Sequence, residues 1–233
     1  DVYKRQVLRR IARETPGEWE DRIESSARSD DERLALRSAH PVWVIRALRR
    51  ALAAEGRADE LDDLLDADNA SPEVTLVALP GLADPGEPRR PYAPTAFGSP
   101  GGDPHRVIAA TGGTVRVQDE GSQLVALALA AAAPITSGER WLDLCAGPGG
   151  KTALLAAIAR EHDVTLEANE VIPTRARLVR NALRAVPGEV VVHEEDGRSF
   201  GASHPGAFDR ILVDAPCTGL GALRRRPLSL IHI

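Results

Sequence analysis

Hydrophobic residues change their spacing along this chain, and each change predicts a different element. From Val7 to about Arg37 they recur at helical intervals in a polar stretch rich in Arg, Glu, Asp and Ala, which predicts a helix and a linker. Ser38-Ala39-His40-Pro41 opens a stronger helix: Pro41 suits the first turn, Val44, Leu48, Ala51 and Leu52 share one face, and Gly56 closes it. Ala58–Asp66 predicts a second short helix that buries Leu61, Leu64 and Leu65. Val74–Leu79 is rich in β-branched residues and predicts a strand stopped by Pro80-Gly81. Ala83–Arg106 holds six Pro and four Gly in 24 residues and predicts a long loop or an irregular subdomain. Val115–Val117 is a short strand. Glu120–Ala132 is a helix with a stripe of Leu124, Leu127, Ala128 and Ala131.

After Pro134 the pattern becomes regular. Trp141–Cys145, Val164–Ala168, Glu189–His193 and Arg210–Val213 are strands, and Lys151–Arg160 and Pro173–Val186 are helices between them. Such alternation predicts an α/β fold with a parallel sheet covered by helices. No internal repeat is evident.

Composition narrows the class. The 233 residues are 43% hydrophobic and 27% charged, a globular composition with room for one α/β domain and a small companion. No apolar run is long enough to span a bilayer, and there is no secretory signal pattern. Cys145 and Cys217 are the only cysteines, which excludes a disulfide framework and suits a reducing cytoplasm. Zinc-type Cys/His spacing is absent, so no metal is expected. The net charge of −5 argues against binding nucleic acid by bulk charge, though not against a local basic site.

The ends differ from the body. The chain has no Met, and Lys occurs only at Lys4 and Lys151. DVYKRQ at residues 1–6 and LSLIHI at residues 228–233 can be encoded by DNA strings that are reverse complements of each other and resemble a transposase-based sequencing adapter. Both segments are therefore expected to be adapter-derived, with the natural body at 7–227 and both of its natural ends missing.

The richest chemistry lies in Asp143-Leu144-Cys145-Ala146-Gly147-Pro148-Gly149-Gly150-Lys151-Thr152. A phosphate-binding P-loop needs Gly six residues before its Lys, where this chain has Cys145. A dinucleotide GxGxxG beginning at Gly147 needs Gly at 152 and meets Thr152. What remains is a strand-to-helix turn pared of side chains, so that backbone N–H groups and a helix start can approach a ligand. Glu170, at the end of the next strand and about 20 residues past the glycines, suits the two hydroxyls of a ribose. Asp196 follows the third strand and suits an exocyclic amine such as adenine's. Asp214 ends the fourth. A lone glycine turn can be purely structural; functional groups at four successive strand ends mark the carboxyl edge where open α/β sheets bind ligands.

DLCAGPGGKT, Ala168-Asn169-Glu170, Asp196-Gly197-Arg198 and DAPCTGLGALRRRP together resemble the RNA 5-methylcytosine methyltransferases of the Sun/RsmB type. Val117–Gln123 (VQDEGSQ) is similar to the signature before that family's catalytic domain. Ser38–Arg46 and Ala67–Val77 are similar to its preceding RNA-binding segment. The resemblance covers nearly all of residues 7–227. It implies a helical linker at 7–37, a helical or mixed RNA-binding segment at 38–116, and at 117–227 the N-terminal half of a Rossmann-like domain dependent on S-adenosylmethionine (SAM). The strand order would be 3-2-1-4, with the fourth strand an uncovered edge.

Carried over, the resemblance implies that Cys145, Ala146, Gly147, Pro148, Gly149, Gly150 and Lys151 hold SAM. Glu170 would take the ribose, Asp196 the adenine, and Asp214 would face the methionine end and the target base. Lys151 is the only lysine of the body and sits in a first helical turn, where the dipole disfavours a cation, so a functional role is preferred to a solvated one. Methylation of cytosine C5 needs a thiolate that adds to C6 of an unstacked base. Cys217 matches the family's product-release cysteine, so the catalytic set is Cys217, Lys151 and Asp214, with the main nucleophile absent from the chain and the chain inactive. Cys145 is read as a small filler of the turn. Arg224, Arg225 and Arg226, with Arg46, Arg49, Arg50, Arg89 and Arg90, are candidates for a local RNA-contacting surface. Ribosomal RNA is the expected substrate. A transfer-RNA methyltransferase and a catalytically dead RNA-binding module are the alternatives.

Overall fold

The computed structural model describes residues 2–70, 73–99 and 101–217. The described residues divide into two compact units, 2–70 in one and 73–217 in the other. The division falls inside the 38–116 segment.

The first unit is helical: α1 (Val2–Ile11), α2 (Pro16–Ser25), α3 (Asp30–Ser38), α4 (Val42–Ala54), a 3-10 turn at Ala58–Glu60, and α5 (Leu61–Asn69). Three helices thus fill the stretch where hydrophobic spacing predicts one helix and a linker. Their starts are written in polar residues instead. Thr15 and Glu18 form a reciprocal capping box at α2, and Ser29 caps α3 through the Glu32 N–H. Pro41 stands at the cap of α4, one place before its first turn. The core is small: Ala35, Ile45, Leu61 and Leu65 are buried between α3, α4 and α5.

The second unit holds two sheets. β1 (Thr75–Ala78) is the centre of a three-stranded antiparallel sheet, flanked by β2 (Ala96–Gly98) and β3 (Val115–Val117). The Pro/Gly-rich stretch 83–106 is therefore not all loop. It contributes β2, with Phe97 buried opposite Leu76, and the start of α6 (Pro104–Ala110). In α7 (Glu120–Ala131) the buried face also differs from the predicted stripe: Ala128 and Ala131 are exposed, while Gln123 and Ala126 are buried. Gln123 earns its place by hydrogen bonding. It accepts from the Thr95 hydroxyl at 2.7 Å and donates to the Leu76 and Gln118 carbonyls, tying α7 to the small sheet.

The second sheet is parallel. β4 (Arg140–Asp143), β5 (Thr165–Asn169), β6 (Val191–His193) and β7 (Arg210–Leu212) lie in the order β6-β5-β4-β7, which is the expected order 3-2-1-4. α8 (Gly150–Glu161), α9 (Pro173–Leu183) and α10 (Gly197–Ser203) connect them. Every residue of α8 from Thr152 to Ala159 is buried, so this helix is apolar all round and forms the heart of the core with Trp141, Leu166 and Leu212. Arg210, 8% exposed, pairs with Glu139 at 2.7 Å and donates to the carbonyls of Leu129, Ala130 and Pro134. Among the described residues β7 pairs only with β4, and Ile211 and Val213 are about half exposed beside it. Among the described residues, no helix is long and apolar enough to cross a membrane.

Candidate functional site

The carboxyl ends of β4, β5 and β7 assemble one site. β4 runs directly into the turn Leu144–Gly149, which opens α8. Gly149 has φ +102°, and a side chain there would lie 2.8 Å from the Val179 backbone of α9, so only glycine fits. A side chain at Gly147 would collide with the Glu170 carboxylate. These two glycines let the turn press against the end of β5.

Glu170 is 4% exposed. One of its oxygens accepts from the Gly147 N–H and the other from the Ile172 N–H, both at 3.0 Å. Arg175 closes over the same group, 3.7 Å from the carboxylate, and donates to the Gly147 carbonyl at 2.5 Å. Lys151, in the first turn of α8, pairs with Asp214 beyond β7 at 2.8 Å. That contact joins the glycine-turn motif to the Asp214-Ala215-Pro216-Cys217 motif. Asp143 ends β4 fully buried. One oxygen accepts from the Thr152 hydroxyl at 2.7 Å, and the other is buried without a hydrogen-bond donor. Burial pushes its pKa up to about 6, an effect that Thr152 and Lys151 oppose and that Asp214 and Glu170 add to.

Asp196 is engaged locally. It caps α10 through the Arg198 N–H at 3.0 Å and holds the Arg198 side chain at 2.5 Å, and these contacts draw its carboxyl down to about 2. The loop before it is nevertheless anchored at the site. Asn169 donates to the Glu195 and Leu144 carbonyls and accepts from the Glu195 N–H, and Gly197 lies against the Leu144 side chain. Cys145 is half-buried, and burial first, then the carboxylates of Asp143, Glu170 and Asp214, push its thiol up. A thiol so raised is a poor nucleophile. Cys217 is exposed. Gln118, buried, packs beside Gly150 and so brings the β3–α7 junction to the turn.

Two groups at this site escape a reading of motifs. Asp143 carries a signal, an acid as the last residue of a buried strand before a glycine turn. Arg175 carries none, because nothing in a helix's sequence shows which strand end it will cover. The expected basic surface is largely internally paired. Arg46 and Arg49 both bind Asp31, Arg89 binds Glu87, and Arg90 binds Glu73. Arg224, Arg225 and Arg226 lie outside the described residues, as does the 228–233 segment. No group of three or more His, Cys, Asp or Glu among the described residues is placed to hold a metal ion.

A parallel β6-β5-β4-β7 sheet with a glycine turn after its first strand and an acid after its second is a Rossmann-like arrangement, the α/β class expected from the sequence. The family model described as 16S rRNA methyltransferase RsmB/F matches residues 130–230. Among curated proteins, the chain is 45% identical over 229 residues to a putative methyltransferase of Mycobacterium tuberculosis, covering 95% of this chain and 49% of that protein. It is 32% identical over 236 residues to the probable ribosomal RNA small subunit methyltransferase B of Bacillus subtilis, with the same coverage. The chain thus spans about half the length of the curated relatives it matches. In fold it is similar to the crystal structure of PH0851, with TM-score 0.75 and 22% identity over 88% of this chain and 48% of that one. It is likewise similar to a methyltransferase homolog protein from Pyrococcus horikoshii, with TM-score 0.64 and 22% identity over 81% and 64%.

Proposed function

We propose that this chain carries the cofactor site of an enzyme that methylates C5 of a cytosine in ribosomal RNA. The observation that carries the reading is the convergence of the Cys145–Lys151 turn, the buried Glu170 and the Lys151–Asp214 pair on one sheet edge. The residues fit SAM on two counts. The turn is cleared of side chains where a ligand must approach backbone N–H groups. The unpartnered oxygen of Asp143 is a buried acceptor that suits the amino group of the cofactor's methionine part.

In this reading, backbone groups of Cys145, Ala146, Gly147, Pro148, Gly149 and Gly150 line the cofactor. Glu170 accepts from the ribose hydroxyls and Asp196 from the adenine amine. SAM when bound supplies an electrophilic methyl group. Lys151 pairs with Asp214 and holds it oriented toward the target base. Cys217, exposed and three residues beyond Asp214, acts in releasing the methylated product. With Cys217 in that role and the Cys145 thiol pushed up, the 233 residues hold no thiol suited to attack C6. They are expected to bind SAM without turning over.

Calorimetry of SAM binding tests the site. Glu170→Ala is expected to weaken binding by about 1–3 kcal/mol, the range for losing hydrogen bonds at a charged group. Unchanged affinity would remove Glu170 from the site, and no binding by the wild-type chain would overturn the reading. Transfer of labelled methyl from SAM to 16S rRNA by the 233 residues alone would overturn the release role of Cys217.

A further inference from the structure

Tyr92 is 74% exposed, the most open of the large hydrophobic residues described in the second unit. A lone exposed aromatic is ordinary on a surface. This one differs in how its backbone is held. Glu120, which opens α7, accepts from the Tyr92 N–H at 2.7 Å and from the Ala93 N–H at 2.9 Å with the same oxygen. On one side the Arg90 N–H donates to the Ala96 carbonyl, and the Gly98 N–H donates to the Pro88 carbonyl. On the other, the Ala96 N–H donates to the Ala93 carbonyl, and the Thr95 hydroxyl donates to the buried Gln123. Arg89 donates to the Pro94 carbonyl, and Pro88, Pro91 and Pro94 remove backbone freedom at every third position. The loop is built to be stiff, yet its largest side chain touches little of the protein.

Its position gives that stiffness a use. Glu120 lies two residues from Gln118, which packs on Gly150 of the candidate cofactor turn. The Tyr92 loop is therefore fastened to the same β3–α7 junction that borders the site. An exposed phenol ring on a fixed backbone, tied to the junction that borders the candidate site, suits one contact above others, face-to-face stacking on an unpaired base. That contact tolerates any base.

We propose that Tyr92 is a stacking platform for an unpaired nucleobase of the RNA substrate, held in place by Glu120 as a positioning residue. This rests on the RNA-methyltransferase reading above and adds to it a contact outside the cofactor motifs. Stacking makes no contact with phosphate. The contact is consequently expected to carry little salt dependence of its own.

The test measures binding of the whole chain to a fluorescein-labelled, mixed-sequence 12-nucleotide single-stranded RNA and to the same sequence as a duplex, across a salt series. Tyr92→Ala is expected to weaken single-strand binding by about 5- to 100-fold, with an unchanged slope of log affinity against log salt. Tyr92→Phe is expected to bind as the wild type does. The duplex is expected to bind Tyr92→Ala and wild type alike. Full single-strand binding by Tyr92→Ala overturns the platform and leaves the RNA reading standing. A Tyr92→Phe variant as weak as Tyr92→Ala, a changed salt slope, or an equal loss on duplex overturns stacking. A wild-type chain that binds neither RNA overturns both this proposal and the reading beneath it.

Discussion

α2 and α8 are helices of 10 and 12 residues built on opposite principles. α2, in the helical unit, buries no residue. It stands on a capping box, a Trp19 indole N–H that reaches the Ile11 carbonyl, and an Arg22 guanidinium stacked over that indole. α8, in the α/β unit, begins on a left-handed glycine with no side-chain cap and buries eight consecutive residues. The first is specified by local polar chemistry. The second is specified by what surrounds it. Solvent-exposed caps and ion pairs are worth little each, while burial scales with apolar area. Resistance to unfolding should therefore be concentrated in the α/β unit.

The strongest way to break this contrast is to empty both cores. Leu154→Ala, at the centre of the larger cluster, is expected to cost about 3–5 kcal/mol, and Leu65→Ala, in the smaller helical core, about 2–3 kcal/mol. Hydrogen exchange read separately over residues 2–70 and 73–217 checks each value where it applies. Equal costs would mean that the helical core is as tightly packed as the other.

Asp143 sharpens the contrast, because so buried a site charges a carboxylate for ionising. Its folded pKa of about 6 lies above the ordinary 3.8, so the folded chain holds the proton more tightly. The stabilisation is complete below the lower value and is lost as pH rises through the higher one. The gap corresponds to about 3 kcal/mol. Asp143→Asn is neutral at every pH and still accepts from Thr152. It is expected to melt above the wild type at pH 8 and level with it near pH 4. A pH-independent difference would mean that Asp143 ionises as freely as a surface acid.

The smallest effect belongs to the helical unit. Ser29→Ala removes the cap of α3 and is expected to cost about 1 kcal/mol, seen as faster exchange in α3 with no change in α8. A change that reached α8 would show that the units unfold as one.

The same contrast decides what could be read from the sequence. The parallel sheet was legible because its strands and helices alternate in apolar runs, and the strand order agrees with the expectation. β2 was hidden because Phe97 has only Tyr92 and no run of apolar neighbours around it in a Pro/Gly stretch, and its pairing with Leu76 is non-local. The inward turn of Gln123 was hidden for the opposite reason. A polar residue is assigned outward unless its partners are known, and these lie 5, 28 and 47 positions away. At the site, the glycine turn, Glu170 and Lys151 stood out by residue type and spacing. The buried state of Asp143 and the cover supplied by Arg175 are properties of packing. The arginines show the limit most directly, since a sequence counts charges, whereas the fold decides that Arg46 and Arg49 share Asp31.

The guanidinium of Arg210 has a consequence in time. It supplies the donors for the last carbonyls of α7, at Leu129 and Ala130, from about 80 positions further along the chain. A ribosome adding roughly 5–20 residues per second needs on the order of 4–16 s to bridge that distance. Throughout that interval α7 can wind, and the Ala132 N–H can reach the Leu129 carbonyl, but the guanidinium donors at its end are missing. The helix that links the small antiparallel sheet to the parallel one is therefore finished late, when β7 leaves the exit tunnel and its arginine closes a joint begun much earlier.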